Sequence, residues 1–299
     1  MKRILVTGAA GFTGPYVGEV LSRGGHEVHG VVQPDSGALP AGFAHVHDAD
    51  LTDADAVARV VSDVEPHQVV HLAAVAYVAH SDVGEMYRTN ILGTRHLLEA
   101  LAAQARGPDR VLIASSANVY GNRHDGIMRE SMPPDPVNDY SVSKVAAEMV
   151  AGLYRSRLPI CIVRPFNYTG VGQSTSFLIP KIVEHVRSGA NSIRLGNLEV
   201  ARDYSDVRFV ANAYGRLLDC ADAAGRTVNV SSGRAYRLAE ILEIVAGISG
   251  RELKVEVDPA LVRDNEVRSL WGDSSLLDQL IGATGRIPLE ETLRWMLEA

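Results

Sequence analysis

Apolar residues fall along this chain in two rhythms, and the alternation between them predicts the fold. Ile4–Thr7 is a short apolar run rich in β-branched residues, which reads as a strand buried in a parallel sheet. Directly beyond it, Val17, Val20 and Leu21 recur at helical spacing within Tyr16–Arg23. The pair then repeats. Strands are expected at Glu27–Val32, Ala44–His47, Gln68–Leu72, Arg110–Ala114 and Ile160–Val163, the last stopped by Arg164-Pro165. Helices are expected after a cap at Thr52 or Asp53, over Glu85–Ala105 and over Asp139–Tyr154. Repeated βα units predict an α/β fold, a Rossmann-like doubly wound parallel sheet whose ligands sit beyond the carboxyl ends of its strands.

After about Asn167 the rhythm loosens. The pattern predicts a helix over Ile179–Ser188, a short polar hairpin over Ile193–Arg202, and helices at 207–224, 237–249 and 289–298. Residues 1–167 are therefore expected to form a dinucleotide-binding domain to which later segments return. Residues 168–299 are expected to form a smaller, discontinuous C-terminal substrate-binding lid.

Candidate chemistry begins between the first strand and the first helix. Gly8, Gly11 and Gly14 are spaced G-x-x-G-x-x-G, with Phe12 and Thr13 between the last two. Glycine lets the chain turn tightly there and brings backbone N–H groups and the positive helix end up to a pyrophosphate. A ribose discriminator belongs roughly 20 residues further on. Val32-Gln33-Pro34-Asp35 offers no carboxylate squarely at the strand end and no Arg, so NADH and NADPH both stay open, with Gln33 able to tolerate either.

Tyr140 and Lys144 are spaced i and i+4, on one face of a helix. A phenol is a poor acid–base group at neutral pH, and a neighbouring ammonium is expected to lower its pKa toward useful work. Ser116 ends a strand one step earlier and can hydrogen-bond a carbonyl or alkoxide oxygen. Together with a dinucleotide site, the three point to hydride chemistry at an oxygen-bearing carbon.

The totals remove other classes. A net charge of −7 without a basic cluster argues against nucleic acid as a partner. No stretch approaches a membrane span, the first strand begins at once, and two cysteines form no metal spacing, so a cytoplasmic chain is expected. His45, His47, His71, His80, His96 and His124 show no ligand spacing, and packing or surface roles rather than a metal are expected for them.

These motifs together resemble the extended short-chain dehydrogenase/reductase family of sugar-nucleotide enzymes. The resemblance spans nearly the whole chain: the glycine loop, Asp50-Leu51, Leu72-Ala73-Ala74, Asn90, Ser115–Gly121, Tyr140-x-x-x-Lys144 and Arg164–Asn167. It implies that Asp50 and Leu51 hold the adenine side of NADPH or NADH, and that Leu72, Ala73 and Ala74 line its phosphates and ribose. It also implies that Lys144 binds the nicotinamide ribose and that Asn90 supports the active-site helix. The family's 4,6-dehydratases need a carboxylate two residues before the Tyr of the Val-Tyr-Gly segment. Asn118 stands there and can neither take nor give a proton, so dehydration is not expected.

Arg164–Gln173, Gly196–Val207 and Arg263–Val267 look like the GDP-sugar branch, most similar to reductases of GDP-4-keto-6-deoxy-D-mannose. That implies reduction of a C4 ketone on a GDP-linked 6-deoxy-hexose, to GDP-D-rhamnose or the talose epimer. Arg202 could neutralise a diphosphate, Arg263 with Glu266 could grip nucleoside ribose and diphosphate, and Asn167 and Gln173 could meet the sugar or phosphate. Arg202 could instead pair with Asp203 or Asp206 on a solvated hairpin. Tyr168 and Val171 depart from the His and Pro usual in this loop. A 4-epimerase with tightly held NAD and a non-catalytic nucleotide sensor are the rival readings. In many relatives the helices carrying Asn90 and Tyr140 form a homodimer interface, so a homodimer is implied.

Overall fold

The computed structural model describes residues 1–34, 36, 41–76, 82–122, 126–258, 269–283 and 285–299. Its centre is a seven-stranded sheet in which every neighbouring pair is parallel. Its strands are β1 (Arg3–Thr7), β2 (Glu27–Val32), β3 (His45–Asp48), β4 (Gln68–His71), β5 (Arg110–Ala114), β6 (Ile160–Pro165) and β7 (Thr227–Val230). They lie in the order β7-β6-β5-β4-β1-β2-β3. The chain winds outward from β1 in both directions, so a crevice opens between the carboxyl ends of β1 and β4.

Alternation within β1 divides the core. Ile4 and Val6 face one layer with Val17, Leu21, Tyr214 and Leu217, while Leu5 faces the other with Val69, Leu97, Leu98 and Leu101. Each such side chain contributes roughly 1.5–3 kcal/mol on burial. Both helical layers are therefore needed to hold a sheet whose strands are apolar on both faces. That rigid frame is what positions the loops at its carboxyl edge.

A five-stranded sheet forms the lid. Ala235–Arg237, Ala201–Asp206, Ser269–Gly272 and Gly126–Met128 lie side by side in that order, and Asn167–Thr169 pairs with the second of them. Helices Leu178–Arg187, Leu238–Ser249 and Leu289–Glu298 pack together around Ile182, Ile241 and Leu293. Gly126–Met128 thus reaches the lid from the first half of the chain, while β7 returns from the second half to the main sheet.

Besides β6, which runs through the Arg164-Pro165 expected to stop it, three elements differ from the sequence reading. The hairpin expected over Ile193–Arg202 does not form. Ser192–Leu195 pairs in parallel with Lys254–Val257, and Ala201–Asp206 enters the lid sheet. Ile193 and Leu195 are drawn into the lid core, which separates two strands that are adjacent in sequence. The helix expected over Glu85–Ala105 starts at Val83, is interrupted by a π-helical turn over Arg88–Gly93, and ends at Ala103. The helix expected over 207–224 stops at Asp219 and is followed by a short 3-10 turn, Ala221–Ala223.

Candidate active site

Gly8 turns the chain at the end of β1 with φ of 72°, in the left-handed region that glycine tolerates. A Cβ there would lie 2.7 Å from the Ala73 nitrogen and 2.8 Å from its Cα, so the turn can press on the loop after β4 only as glycine. At Gly14 a Cβ would meet the Ala9 carbonyl oxygen at 2.1 Å, which lets helix Gly14–Arg23 start flush against the turn. The Gly11 and Gly14 amides donate within the turn. Those of Phe12 and Thr13 meet no backbone acceptor among the described residues. Two donors and a helix N-terminus at the sheet's switch point fit a pyrophosphate. Leu72, Ala73 and Ala74 follow β4 on the same edge.

Asp50 is exposed and takes the Thr52 amide at 2.8 Å, whereas the Leu51 side chain is buried in the core. An adenine contact from Leu51 is therefore left to its backbone. Its carbonyl already accepts a hydrogen bond from His96 Nδ1 at 2.9 Å. Gln33 is exposed at the end of β2, and Asp35 lies outside the described residues.

Tyr140 sits in the first turn of helix Asp139–Leu153. Asn138 caps this helix, accepting the Ser141 amide at 2.9 Å while Ser141 Oγ accepts the Asn138 amide at 3.1 Å. Tyr140 and Ser116, each 8% exposed, lie close enough for the Ser116 hydroxyl to favour the phenolate, and Lys144 stands one turn on. The expectation that Lys144 lowers the phenol's pKa is not met. Burial pushes Tyr140 up to about 12, and only the Ser116 hydrogen bond opposes that. The reason is geometric. Lys144 Nζ donates to the Ala114 carbonyl at 2.8 Å and lies 6.0 Å from the centroid of the Tyr140 ring. Burial also holds the Lys144 ammonium down to about 8, against the upward pull of Glu148.

Glu148 was not legible as functional in the sequence. Glu148, one turn beyond Lys144, accepts from Arg164 Nε at 2.9 Å and Nη2 at 2.7 Å, and also from Ser115. This nearly buried pair ties the catalytic helix to β6. Asn90 lies in the π-helical turn and is 1% exposed. Its Nδ2 donates to Ser143 Oγ at 2.9 Å and the Val75 carbonyl at 3.1 Å, while its Oδ1 accepts the Val75 amide at 2.8 Å. Ser143 Oγ donates to the Tyr140 carbonyl at 2.7 Å. The wide turn swings the amide between two walls of the site, matching the supporting role implied for Asn90.

His71 joins the same frame. Thr94 Oγ1 gives its proton to the Asn90 carbonyl at 2.7 Å, so it must accept from His71 Nε2 at 2.9 Å. His71 Nδ1 then accepts from Thr7 Oγ1 at 2.7 Å, and Thr7 accepts the Ala73 amide at 3.3 Å. Hydrogen bonding alone fixes this tautomer. Complete burial holds the imidazole down to about 3, hence neutral.

Asn167, a residue expected to meet the substrate, is exposed at the start of its strand. Tyr168, at the position where His was expected, reaches the glycine turn: its hydroxyl meets Thr13 Oγ1 at 2.8 Å and its ring stacks on Phe12. The Gln173 amide donates to the Tyr168 carbonyl at 3.1 Å and accepts from Thr169 at 2.7 Å, so it holds its own loop. Arg202 is half-buried in its strand, and Nη1 donates to the Ala201 carbonyl at 2.9 Å. The two acids expected to compete for it are engaged elsewhere. Asp203 is buried and accepts the Ser232 and Gly233 amides, and Asp206 caps the next helix and pairs with Arg208. Arg263 and Glu266 lie outside the described residues.

A doubly wound parallel sheet with a glycine turn at its switch point defines the class, an NAD(P)-dependent oxidoreductase of the short-chain dehydrogenase/reductase type. A family model described as GDP-mannose 4,6 dehydratase matches residues 5–296, and the chain belongs to this extended family. It is 33% identical to the GDP-6-deoxy-D-mannose reductase of Pseudomonas aeruginosa over 99% of this chain and 96% of that one. It is 31% identical to the GDP-6-deoxy-D-talose 4-dehydrogenase of Aggregatibacter actinomycetemcomitans over 94% of this chain and 91% of that one. Among solved structures, RMD from Pseudomonas aeruginosa complexed with NADPH superposes with a TM-score of 0.84 at 31% identity, covering 100% of this chain and 97% of its own. A Burkholderia cenocepacia J2315 protein that carries only a provisional epimerase label superposes at 0.94 with 47% identity, covering 99% and 97%. No described helix is long and apolar enough to cross a membrane.

Proposed function

We propose that this chain reduces the C4 ketone of a GDP-linked 4-keto-6-deoxy-hexose, using NADPH or NADH, to GDP-D-rhamnose or its 6-deoxy-talose epimer. The observation that carries the reading is the buried Ser116–Tyr140 pair beside Asn118. Asn118 is an exposed amide whose backbone N–H donates to Ser116 Oγ at 3.1 Å, and it stands where dehydration needs a carboxylate. The relatives named above for GDP-6-deoxy sugars support the substrate class.

When bound, the reduced nicotinamide supplies the hydride. Burial keeps the Tyr140 phenol protonated at neutral pH, the state required of an acid that must protonate the oxygen gaining charge at C4. Ser116 hydrogen-bonds that oxygen and then steadies the phenolate left behind. Lys144, anchored by the Ala114 carbonyl, presents its ammonium to the nicotinamide ribose. By the family resemblance, Arg202 would meet the diphosphate and Arg263 with Glu266 the nucleoside, the last two lying outside the described residues.

The test is incubation with GDP-4-keto-6-deoxy-mannose and each reduced cofactor, with the configuration at C4 read by NMR. A 4-hydroxyl product formed at the expense of added cofactor supports the reading. Loss of water from GDP-mannose, with no reduction of the ketone, contradicts it. The 47% identity to the Burkholderia protein favours a second reading, a 4-epimerase. It predicts stoichiometric NAD released on denaturation and turnover without added reductant.

A homodimer also belongs to this proposal. Leu92, Val142, Met149 and Leu153 are exposed on the segments that carry Asn90 and Tyr140, with Met149 and Leu153 about 70% exposed. Light scattering at the dimer mass supports it, and a monomer at micromolar concentration rejects it. The free thiols Cys161 and Cys220 suit a reducing, cytoplasmic setting.

A further inference from the structure

Strand register brings His45 and His47, which show no ligand spacing in the sequence, beside His29. His29 in β2 and His45 in β3 are direct partners across the parallel pair, and the period of two places Glu27 and His47 on the same face. Glu27 Oε1 lies 3.2 Å from His29 Nε2 and 3.4 Å from His45 Nε2. One donor atom from each of the three lies within 4.8 Å of both others, the one such group among the described residues. Sequence spacing hid the group because its members come from two strands.

We propose that Glu27, His29 and His45 bind a divalent transition-metal ion, with zinc the natural occupant and a fourth position left to water. Two imidazole nitrogens and a carboxylate oxygen suit zinc, and bond lengths of about 2.0–2.1 Å put tetrahedral donors roughly 3.3 Å apart. The two measured separations from Glu27 straddle that value. His29 is 7% exposed, whereas His45 and Glu27 face outward, giving an anchored ligand with an open entry path. A supporting hydrogen bond is also in place. His29 Nδ1 lies 3.1 Å from His47 Nε2, so with Nε2 on the metal, Nδ1–H donates to His47 and fixes the tautomer.

The group stands at the amino-terminal ends of β2 and β3, the opposite end of the sheet from the glycine turn. The ion would clip the edge strand β3 to β2, a structural role outside the reaction. Without metal, the same side chains form only a hydrogen-bonded cluster, and the two states predict different measurements.

The test titrates untagged protein with zinc by calorimetry and with cobalt by visible absorbance. The expected result is one equivalent bound, a tetrahedral cobalt spectrum and a thermal midpoint raised by zinc. His45→Ala and Glu27→Gln are each expected to weaken binding by at least about tenfold, and His47→Phe by about tenfold. All three should keep full reductive turnover, and zinc should raise their thermal midpoints less than it raises that of the wild type. Absence of stoichiometric binding overturns the proposal, as does binding that survives unchanged in both His45→Ala and Glu27→Gln.

Discussion

Tyr168 and Thr13, 155 positions apart in sequence, share a hydrogen bond of 2.8 Å that joins the lid to the glycine turn. The Tyr168 ring also stacks on Phe12 with centroids 5.9 Å apart, and Tyr16 of the first helix holds the loop from below by donating to the Val171 carbonyl at 2.7 Å. The substrate loop and the cofactor turn are therefore one packed unit. Removing only the hydroxyl, in Tyr168→Phe, keeps the stack and loses a bond worth about 0.5–1.5 kcal/mol. The expected result is a cofactor KM raised by a few fold with kcat nearly unchanged. Unaltered cofactor affinity would show that the link does not position the turn.

Asn90 is expected to matter more for stability than any exposed polar residue. Asn90→Ala leaves the Val75 amide and carbonyl and Ser143 Oγ without their partner. Buried polar groups so stranded cost about 1–3 kcal/mol each, partly recovered by water. Urea midpoints should fall and kcat should fall with them, because Ser143 holds the first turn of the Tyr140 helix. Ser143→Ala should show the same trend, smaller.

Lys144 gives the reaction a pH limit. Its pKa is held down to about 8 by burial, so the ammonium is present below that value and lost above it. The Tyr140 phenol stays protonated through the same range. Reductive kcat/KM should be level below pH 8 and fall with one ionisation above it. Lys144→Arg, which stays charged, should be slower and lack the alkaline limb.

His71 predicts acid sensitivity with a defined sign. Its imidazole titrates near 6.5 in the unfolded chain and about 3 in the native one. As pH falls through that window the unfolded state takes up the proton first, so stability falls. The slope approaches about 1.4 kcal/mol per pH unit from this group. Urea unfolding from pH 6.5 down to 4 should show a shallower decline in His71→Gln than in the wild type, even though that variant starts less stable. Equal slopes would assign the effect to other groups.

The sheet and the Tyr140–Lys144 pair were readable because their signals are local: β-branched runs, glycine spacing and an i, i+4 pair. The hairpin was misread because Ile193 and Leu195 answer to a lid core assembled from distant helices. The effect of Lys144 on Tyr140 was misread for a related reason. Spacing places two residues on one face but says nothing of the Ala114 carbonyl that captures the ammonium. Asn90 was found only through a motif, since its π-helical turn leaves no trace in apolar periodicity. The Glu27–His29–His45 group depends on the β2–β3 register, which sequence spacing does not contain. The sequence left NADH and NADPH both open at Val32–Asp35, where Gln33 and Pro34 are exposed at the end of β2 and Asp35 lies outside the described residues.

The central claim, that Tyr140 is the acid of a C4 ketone reduction, is tested most directly by comparing the wild type with Tyr140→Phe. The measurement is consumption of reduced nicotinamide on addition of GDP-4-keto-6-deoxy-mannose, with cofactor binding measured alongside. The account predicts steady consumption by the wild type, turnover lowered roughly 10²–10⁴-fold in the variant, and nearly unchanged cofactor affinity. Near-wild-type consumption by Tyr140→Phe, or none by either protein, would contradict it.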